Sequence, residues 1–289
     1  MTDAAPPEPP LLEPGIELAP GYEVRFHVAR SHVLDVYDVW SAERDTHCVA
    51  KTLRPDRLGD VKPRRRLYRE GRILLAMAHP HIVRAYELIA GPRPVLILEP
   101  LTGGTLEDAL TVTGRVALPT VVELGLQLCS AMHYVHGRGL VHGDLKPANI
   151  VGDRGFSKVI DFSLARAPGR GHAGRGTRAY LAPEQARGAF VGSAADVWGI
   201  GAVLYAAAVG SPPFSSAGGA ARYPQLERRA DWVGDHRWLA ARYALLADLV
   251  AACLEPEARG RPSAGELADG LDKMIVQDDY DHHAGPGRR

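Results

Sequence analysis

The sequence predicts a two-lobed α+β protein: a small antiparallel β-sheet with one principal helix, then a mostly helical lobe. Before residue 100 the chain repeats short runs that alternate β-branched, aromatic and polar residues, as half-buried strands do. After Gly103-Gly104 the apolar residues recur every three or four positions, the period of helices packed on a core. A chain of 289 residues, 46% of them hydrophobic, has enough apolar surface for both lobes to bury a core.

The elements follow in order. Tyr22 to Phe26, Val33 to Trp40 and Cys48 to Leu53 predict three antiparallel strands joined by polar turns. Residues 63–78 carry Leu67, Leu74 and Met77 with arginines between them, a helical pattern that stops before His79-Pro80. Val83 to Ile89 and Val95 to Glu99 predict two more strands, with Gly91, Pro92 and Pro94 in their turn, which makes a five-stranded sheet. Behind Pro119, a first-turn residue, Val121, Leu124, Leu128, Met132 and Val135 trace one face of a helix. Ala194 to Val209, Tyr243 to Leu254 and Ala264 to Ile275 predict three further helices. The expected organisation is a Pro-rich tail over 1–20, a domain over 21–276 with lobes at 21–99 and 102–276, and a polar tail over 277–289.

Charge and composition exclude several classes of partner. Lys and Arg number 34 and Asp and Glu also 34, so no overall field draws in nucleic acid or an anionic membrane, and a charged ligand must be caught locally. Cys48, Cys129 and Cys253 lie too far apart for CxxC-type metal ligation, are odd in number, and are expected as reduced, buried thiols. Val197 to Val209 falls short of the roughly 18 residues that span a bilayer, and the N-terminus lacks the basic start and apolar run of a signal peptide. A cytoplasmic chain without a membrane span is expected; the sequence is silent on oligomeric state.

The most informative stretch, His142-Gly-Asp-Leu-Lys-Pro-Ala-Asn149, sets a carboxylate, an ammonium and an amide close together, and Asp161-Phe-Ser follows it. Phosphoryl transfer requires an acceptor hydroxyl positioned by a base, cations on the phosphate oxygens and hard oxygen ligands for Mg²⁺. Asp144 supplies the base, Lys146 the cation on the moving group, and Asn149 and Asp161 the metal ligands. Only five residues of the chain are Lys, and Lys51 and Lys146 are two of them. A compact ammonium, unlike the arginine fork, meets phosphate as a point charge.

On these residues the chain resembles the eukaryotic-type Ser/Thr protein kinases of bacteria, over about residues 21–276. The resemblance implies a protein-kinase-like fold, ATP and Mg²⁺ as cofactors, and protein substrates. It implies that Lys51, in Val49-Ala50-Lys51, pairs with Glu70 to pin the α- and β-phosphates, and that Glu99 to Leu101 form the hinge that meets adenine, with Leu98 as gatekeeper. Ala29, Ser31, Val36, Ala50 and Val151 are then expected against the nucleotide. Gly176-Thr177 to Ala182-Pro183-Glu184 resembles the substrate-docking loop, and Lys146 with Thr177 points to Ser or Thr acceptors. Asp196-Val-Trp198-Gly199 resembles the helix that anchors the loop of Asp144, Arg261 stands where the family pairs an Arg with Glu184, and His142 and Phe162 stand in its hydrophobic spine.

Three departures stand beside this. The glycines of the phosphate-cradling GxGxxG fall on Ala29, Ser31 and Leu34, and no glycine lies between Tyr22 and Leu58. Ser163 replaces the Gly of DFG. Gly143 replaces the Arg of HRD, a non-RD pattern, and Leu164 to Gly176 holds no Ser, Thr or Tyr, so both halves of a phosphorylation switch are expected to be missing and the loop to be ordered without phosphate.

The missing glycines leave two readings, a competent enzyme or a pseudokinase that signals by binding; the retained Lys51, Glu70, Asp144, Asn149 and Asp161 favour the first. His-Gly-Asp also occurs in small-molecule phosphotransferases, but the docking-loop pattern after residue 162 argues for protein substrates. Arg166, Arg170, His172, Arg175 and Arg178 make that loop basic, and acidic segments of a partner are its expected attraction.

Overall fold

The computed structural model describes residues 8–214, 222–230 and 243–283; the outer ends of the two expected tails, 1–7 and 284–289, lie outside the described residues. The chain divides into two compact units, one formed by residues up to 78 with 83–101, the other by 79–82 with the chain from 102 onward.

The first unit is built on an antiparallel sheet. Its strands are β1 (Glu17–Ala19), β2 (Tyr22–Arg30), β3 (Leu34–Ser41), β4 (Thr46–Leu53), β5 (Ala85–Ile89) and β6 (Val95–Leu98), in the order β1-β2-β3-β4-β6-β5. Alternation decides which face is inward: on β3, Asp35, Tyr37, Val39 and Ser41 are buried while the residues between them are half-exposed. Tyr37 and Val39 join Val24, Cys48, Ala50, Val95 and Ile97 in one core. Helix α1 (Val61–Leu75) buries Leu67, Glu70 and Leu74, one stripe at helical spacing. It ends at Leu75, earlier than its apolar pattern suggests, where the Ala76 and Met77 amides close the last turn on Ile73 O and Leu74 O.

Here the structure corrects the expectation of five strands behind a loose tail. A sixth strand, β1, pairs with β2 through Glu17↔Glu23 and Ala19↔Tyr22 and buries Leu18 and Ala19. Three residues are too few for alternation to show in a sequence. Upstream, Leu12 packs on the sheet core and its amide donates to the Tyr37 hydroxyl at 3.2 Å. Arg30 donates to Pro9 O at 2.8 Å, and Glu8 lies 3.7 Å from Arg30 and 3.4 Å from Arg54. Residues 8–19 are therefore a strap along the β2–β3 hairpin.

The second unit is mostly helical: α2 (Leu106–Thr113), α3 (Leu118–Gly137), α4 (Pro183–Arg187), α5 (Ser193–Val209), α6 (Ala244–Cys253) and α7 (Ala264–His283). Helix α2 has no counterpart among the expected elements; it begins at a capping box, in which Thr105 Oγ1 accepts from the Asp108 amide and the Asp108 carboxylate accepts from the Thr105 amide. Helix α5 is buried from Ala195 to Ala208, as an almost wholly apolar helix must be. Helix α7 continues to His283, beyond the expected end at Ile275.

Two short antiparallel ladders also belong to the unit: β7 (Ile150–Asp153) with β8 (Phe156–Val159), and β9 (Gly169–Arg170) with β10 (Phe190–Val191). All three cysteines are free and buried, and burial pushes the Cys129 thiol up to about 12. No helix among the described residues is long and apolar enough to cross a membrane.

Candidate active site

Lys51 stands in the middle of β4, its backbone held between Val36 of β3 and Leu96 of β6. A strand paired on both sides cannot shift its register without exposing its buried face, so the ammonium is aimed by the sheet. Its Nζ lies 2.7 Å and 3.0 Å from the two carboxylate oxygens of Glu70 on α1. The Glu70 side chain is 1% exposed and that of Lys51 12%, so two opposite charges are held out of water in mutual contact.

The other residues named for nucleotide in this unit lie on the same sheet. Ala29 pairs with Val36, Ala50 with Ile97, and Leu98 with Val49. Glu99 follows β6, its amide donating to Arg84 O at 2.9 Å and its carboxylate accepting from the Arg84 amide at 2.8 Å; Leu101 beyond it is half-buried. Ser31 sits in the β2–β3 turn, where glycines stand in the family pattern. Its amide donates to Leu34 O at 2.8 Å and its hydroxyl accepts from the amides of Val33 and Leu34 at 3.3 Å and 3.0 Å. Serine closes this turn on itself, engaging amides that a glycine-rich loop offers to phosphate.

In the second unit four expected residues meet in one hydrogen-bonded cluster. The Asp144 carboxylate accepts from the Thr177 amide through Oδ1 at 2.8 Å and lies 3.6 Å from Lys146 Nζ through Oδ2. Lys146 Nζ also donates to Thr177 Oγ1 at 2.9 Å. Asn149 donates from Nδ2 to Asp144 O at 2.9 Å. Asp161 follows β8, and its Oδ1 accepts from the Ser163 amide at 2.9 Å, so the serine that replaces glycine leaves the local turn intact. Val151 lies on β7 and bridges to Thr105. Gly176, at φ +128°, lets the chain approach Asp144: a Cβ there would stand 2.7 Å from Leu181 Cδ2 and 3.3 Å from Asp144 Oδ1.

Behind this cluster the loop is clasped by the helix the resemblance assigned to that role, together with His136 and Gln185, which the sequence did not point to. Asp196, in the first turn of α5 and 1% exposed, accepts from the His142 and Gly143 amides, both at 2.8 Å, and from His136 Nε2 at 2.9 Å. Gln185 donates to Gly143 O at 2.8 Å and accepts from the Ala182 amide at 3.0 Å, tying α4 to the same loop. His142 and Phe162, both fully buried, meet edge to face with centroids 4.8 Å apart. Arg261 grips Glu184 with two parallel hydrogen bonds of 2.7 Å and 2.9 Å.

The protein kinase domain family matches residues 31–270. The chain is 38% identical over 176 residues to serine/threonine-protein kinase PknB of Mycobacterium leprae, a span of 57% of this chain and 28% of that protein. It is 35% identical over 250 residues to serine/threonine-protein kinase PkaA of Streptomyces coelicolor, 81% of this chain and 44% of that one. With CBL-interacting protein kinase 24 of Oryza sativa subsp. japonica it shares 34% over 200 residues, 67% of this chain and 44% of that one. The chain thus spans less than half the length of these relatives. With a family match across most of its length, a curled antiparallel sheet followed by a helical unit, and a lysine–glutamate pair in the one and an Asp-Lys-Asn cluster in the other, the chain belongs to the protein kinase family.

Proposed function

We propose that the chain transfers the γ-phosphoryl group of ATP to Ser or Thr hydroxyls of proteins. The observation that carries this reading is the convergence of Asp144, Lys146, Asn149 and Thr177 in one hydrogen-bonded cluster. With Asp144 Oδ1 engaged by the Thr177 amide, Oδ2 takes the proton of the substrate hydroxyl as its oxygen bonds to the γ-phosphorus and the bond to the departing ADP oxygen breaks. Lys146, shared between Asp144 and Thr177, balances charge on the moving group. Lys51, aligned by Glu70, holds the α- and β-phosphates.

The donor set suits a hard divalent cation: the Asp161 carboxylate and the amide oxygen of Asn149, whose Nδ2 is taken up by Asp144 O. Bound there, Mg²⁺ would neutralise charge on the phosphate oxygens. The arginines between residues 166 and 178 steer acidic protein segments toward the docking loop, and the supply of ATP argues for a cytoplasmic setting. The absent glycines bear on affinity for nucleotide; the charged groups that perform the transfer are all retained.

The reading is tested by thermal shift with ATP in the presence and absence of Mg²⁺, then by radiolabelled phosphotransfer. Stabilisation that requires both, and turnover that falls about 10²- to 10⁴-fold in Asp144→Asn at unchanged Tm, are the expected results. Turnover equal to wild type in Asp144→Asn and in Asp161→Asn would refute it.

A further inference from the structure

Beside the loop of Asp144 the second unit contains a cavity of about 120 Å³, lined by Arg166, Arg170, His172 and Arg175 together with Gly143 and Leu164. Among the described residues, three arginines line it and no Asp or Glu does. Like charges gathered around one space raise a positive potential that an anion relieves.

Backbone pairing holds the walls in place. Val141 and Arg166 exchange amide hydrogen bonds of 2.8 Å and 3.0 Å, β9 pairs with β10, and the Gly171 amide donates to Ala189 O at 2.9 Å. Arg166 braces the loop from within, donating to Gly169 O at 3.0 Å and Arg170 O at 3.3 Å. Gly143, at φ +78°, adopts a backbone that other residues rarely enter and presents no side chain to the cavity.

The sequence reading expects both halves of a phosphorylation switch to be missing, and the structure restores one of them. An arginine-lined receptacle is present, while Leu164 to Gly176 still offers no hydroxyl to carry the phosphate. The loop that lines the cavity thus cannot itself supply the anion, and a second molecule can. We propose that this cavity docks a phosphomonoester dianion borne by a phosphoserine or phosphothreonine of a second polypeptide. Planar guanidinium forks match phosphate oxygens in pairs, and a phosphomonoester brings close to two charges where a carboxylate brings one. Docking here sets the partner beside Asp144 and Thr177; that consequence for turnover rests on the kinase reading, whereas the binding does not.

The test is fluorescence anisotropy of a short phosphoserine peptide with otherwise neutral side chains, titrated with the full chain without nucleotide, alongside its Ser and Asp counterparts. The phosphopeptide should bind at least tenfold tighter than the Asp peptide, weaken with salt, and lose at least tenfold in the Arg170→Gln/Arg175→Gln chain at unchanged Tm. Should the double variant fail to fold, Arg170→Gln alone, at an exposed position, carries the same comparison.

Inorganic phosphate that displaces the peptide only at much higher concentration assigns the site to polypeptide-borne phosphate; equal potency overturns that assignment. Binding that ignores phosphorylation, or survives both substitutions, overturns the proposal. The titration is repeated with Asp161→Asn, so failure of phosphoryl transfer leaves this result untouched and failure of binding leaves the transfer assay untouched.

Discussion

Arg261 shows how much a single side chain holds in this fold. Its guanidinium is fully buried, meets both Glu184 oxygens, donates to the carbonyls of Glu255, Pro256 and Ala194, and lies 4.9 Å from the Trp198 ring centroid. Removing one member of a buried ion pair strands its partner, a loss of about 3–5 kcal/mol. Arg261→Met should therefore lower the urea-unfolding free energy by that amount, and Arg261→Lys should recover only part of it, because a single ammonium cannot reproduce the planar fork on Glu184 and also reach the three carbonyls. A loss under about 1 kcal/mol in Arg261→Met would show that the pair adds little. This pair and the Lys51–Glu70 pair are legible in the sequence because residue type and order along the chain are both constrained. The clasp on the loop of Asp144 is legible only in part: the resemblance assigned the Asp196 helix to anchoring that loop, but His136 lies 60 positions from Asp196, Gln185 lies 42 from Gly143, and a buried Gln has no signature of its own.

At the scale of elements, the β2–β3 hairpin is where the chain departs furthest from its family pattern. Ser31 ties the turn together, and Arg30 bonds Asp35 at 2.6 Å and 3.0 Å, with the strap of residues 8–19 alongside. Glycine at 31 removes the hydroxyl acceptor and releases the Val33 and Leu34 amides toward phosphate, at the expense of a looser turn. A net hydrogen bond of about 1 kcal/mol corresponds to about a fivefold change in equilibrium. Ser31→Gly should tighten ATP binding by about that factor, measured by calorimetry, and lower Tm by a few degrees; unchanged affinity would mean that these amides do not face the nucleotide.

The same elements show where the sequence is mute. β1 is three residues long, and the strap lies among prolines that read as a loose tail, yet both are fixed by burial of Leu12, Leu18 and Ala19 against strands that follow them in sequence. α2 carries a Thr-x-x-Asp capping box, a readable signal, but its apolar pattern is short and none of its residues is buried, so periodicity passes it over.

Across the whole molecule, acid acts through two groups of sites, and their signs agree. The His79 and His81 side chains are held below the ordinary value of 6.5, in both chiefly by burial, with neighbouring positive charge (His81 and Arg138 at His79, Lys158 at His81) adding to it. His79 Nε2 lies 3.2 Å from Ser130 Oγ, and His81 Nδ1 lies 3.1 Å from Ser157 O. The unfolded chain binds protons on these rings at a pH where the folded chain does not, so their contribution is fully present above the unfolded value and drains away as pH falls through and below 6.5. The carboxylates of Asp108, held down by the Thr105 hydroxyl and amide, and of Glu266, held down by the Ser263 amide and hydroxyl, have lowered values too. Their contribution is present above the ordinary carboxylate range and is lost only as pH falls through their depressed values. Unfolding free energy should therefore decline in two steps, the first setting in as pH falls below about 6.5, with a slope of at most about 1.4 kcal/mol per pH unit for each proton taken up. Urea unfolding at pH 7.5, 6.0 and 5.0 measures that first step. In His79→Gln/His81→Gln it should flatten while the second step persists; a first step of undiminished slope in that variant would show that these two rings do not set it.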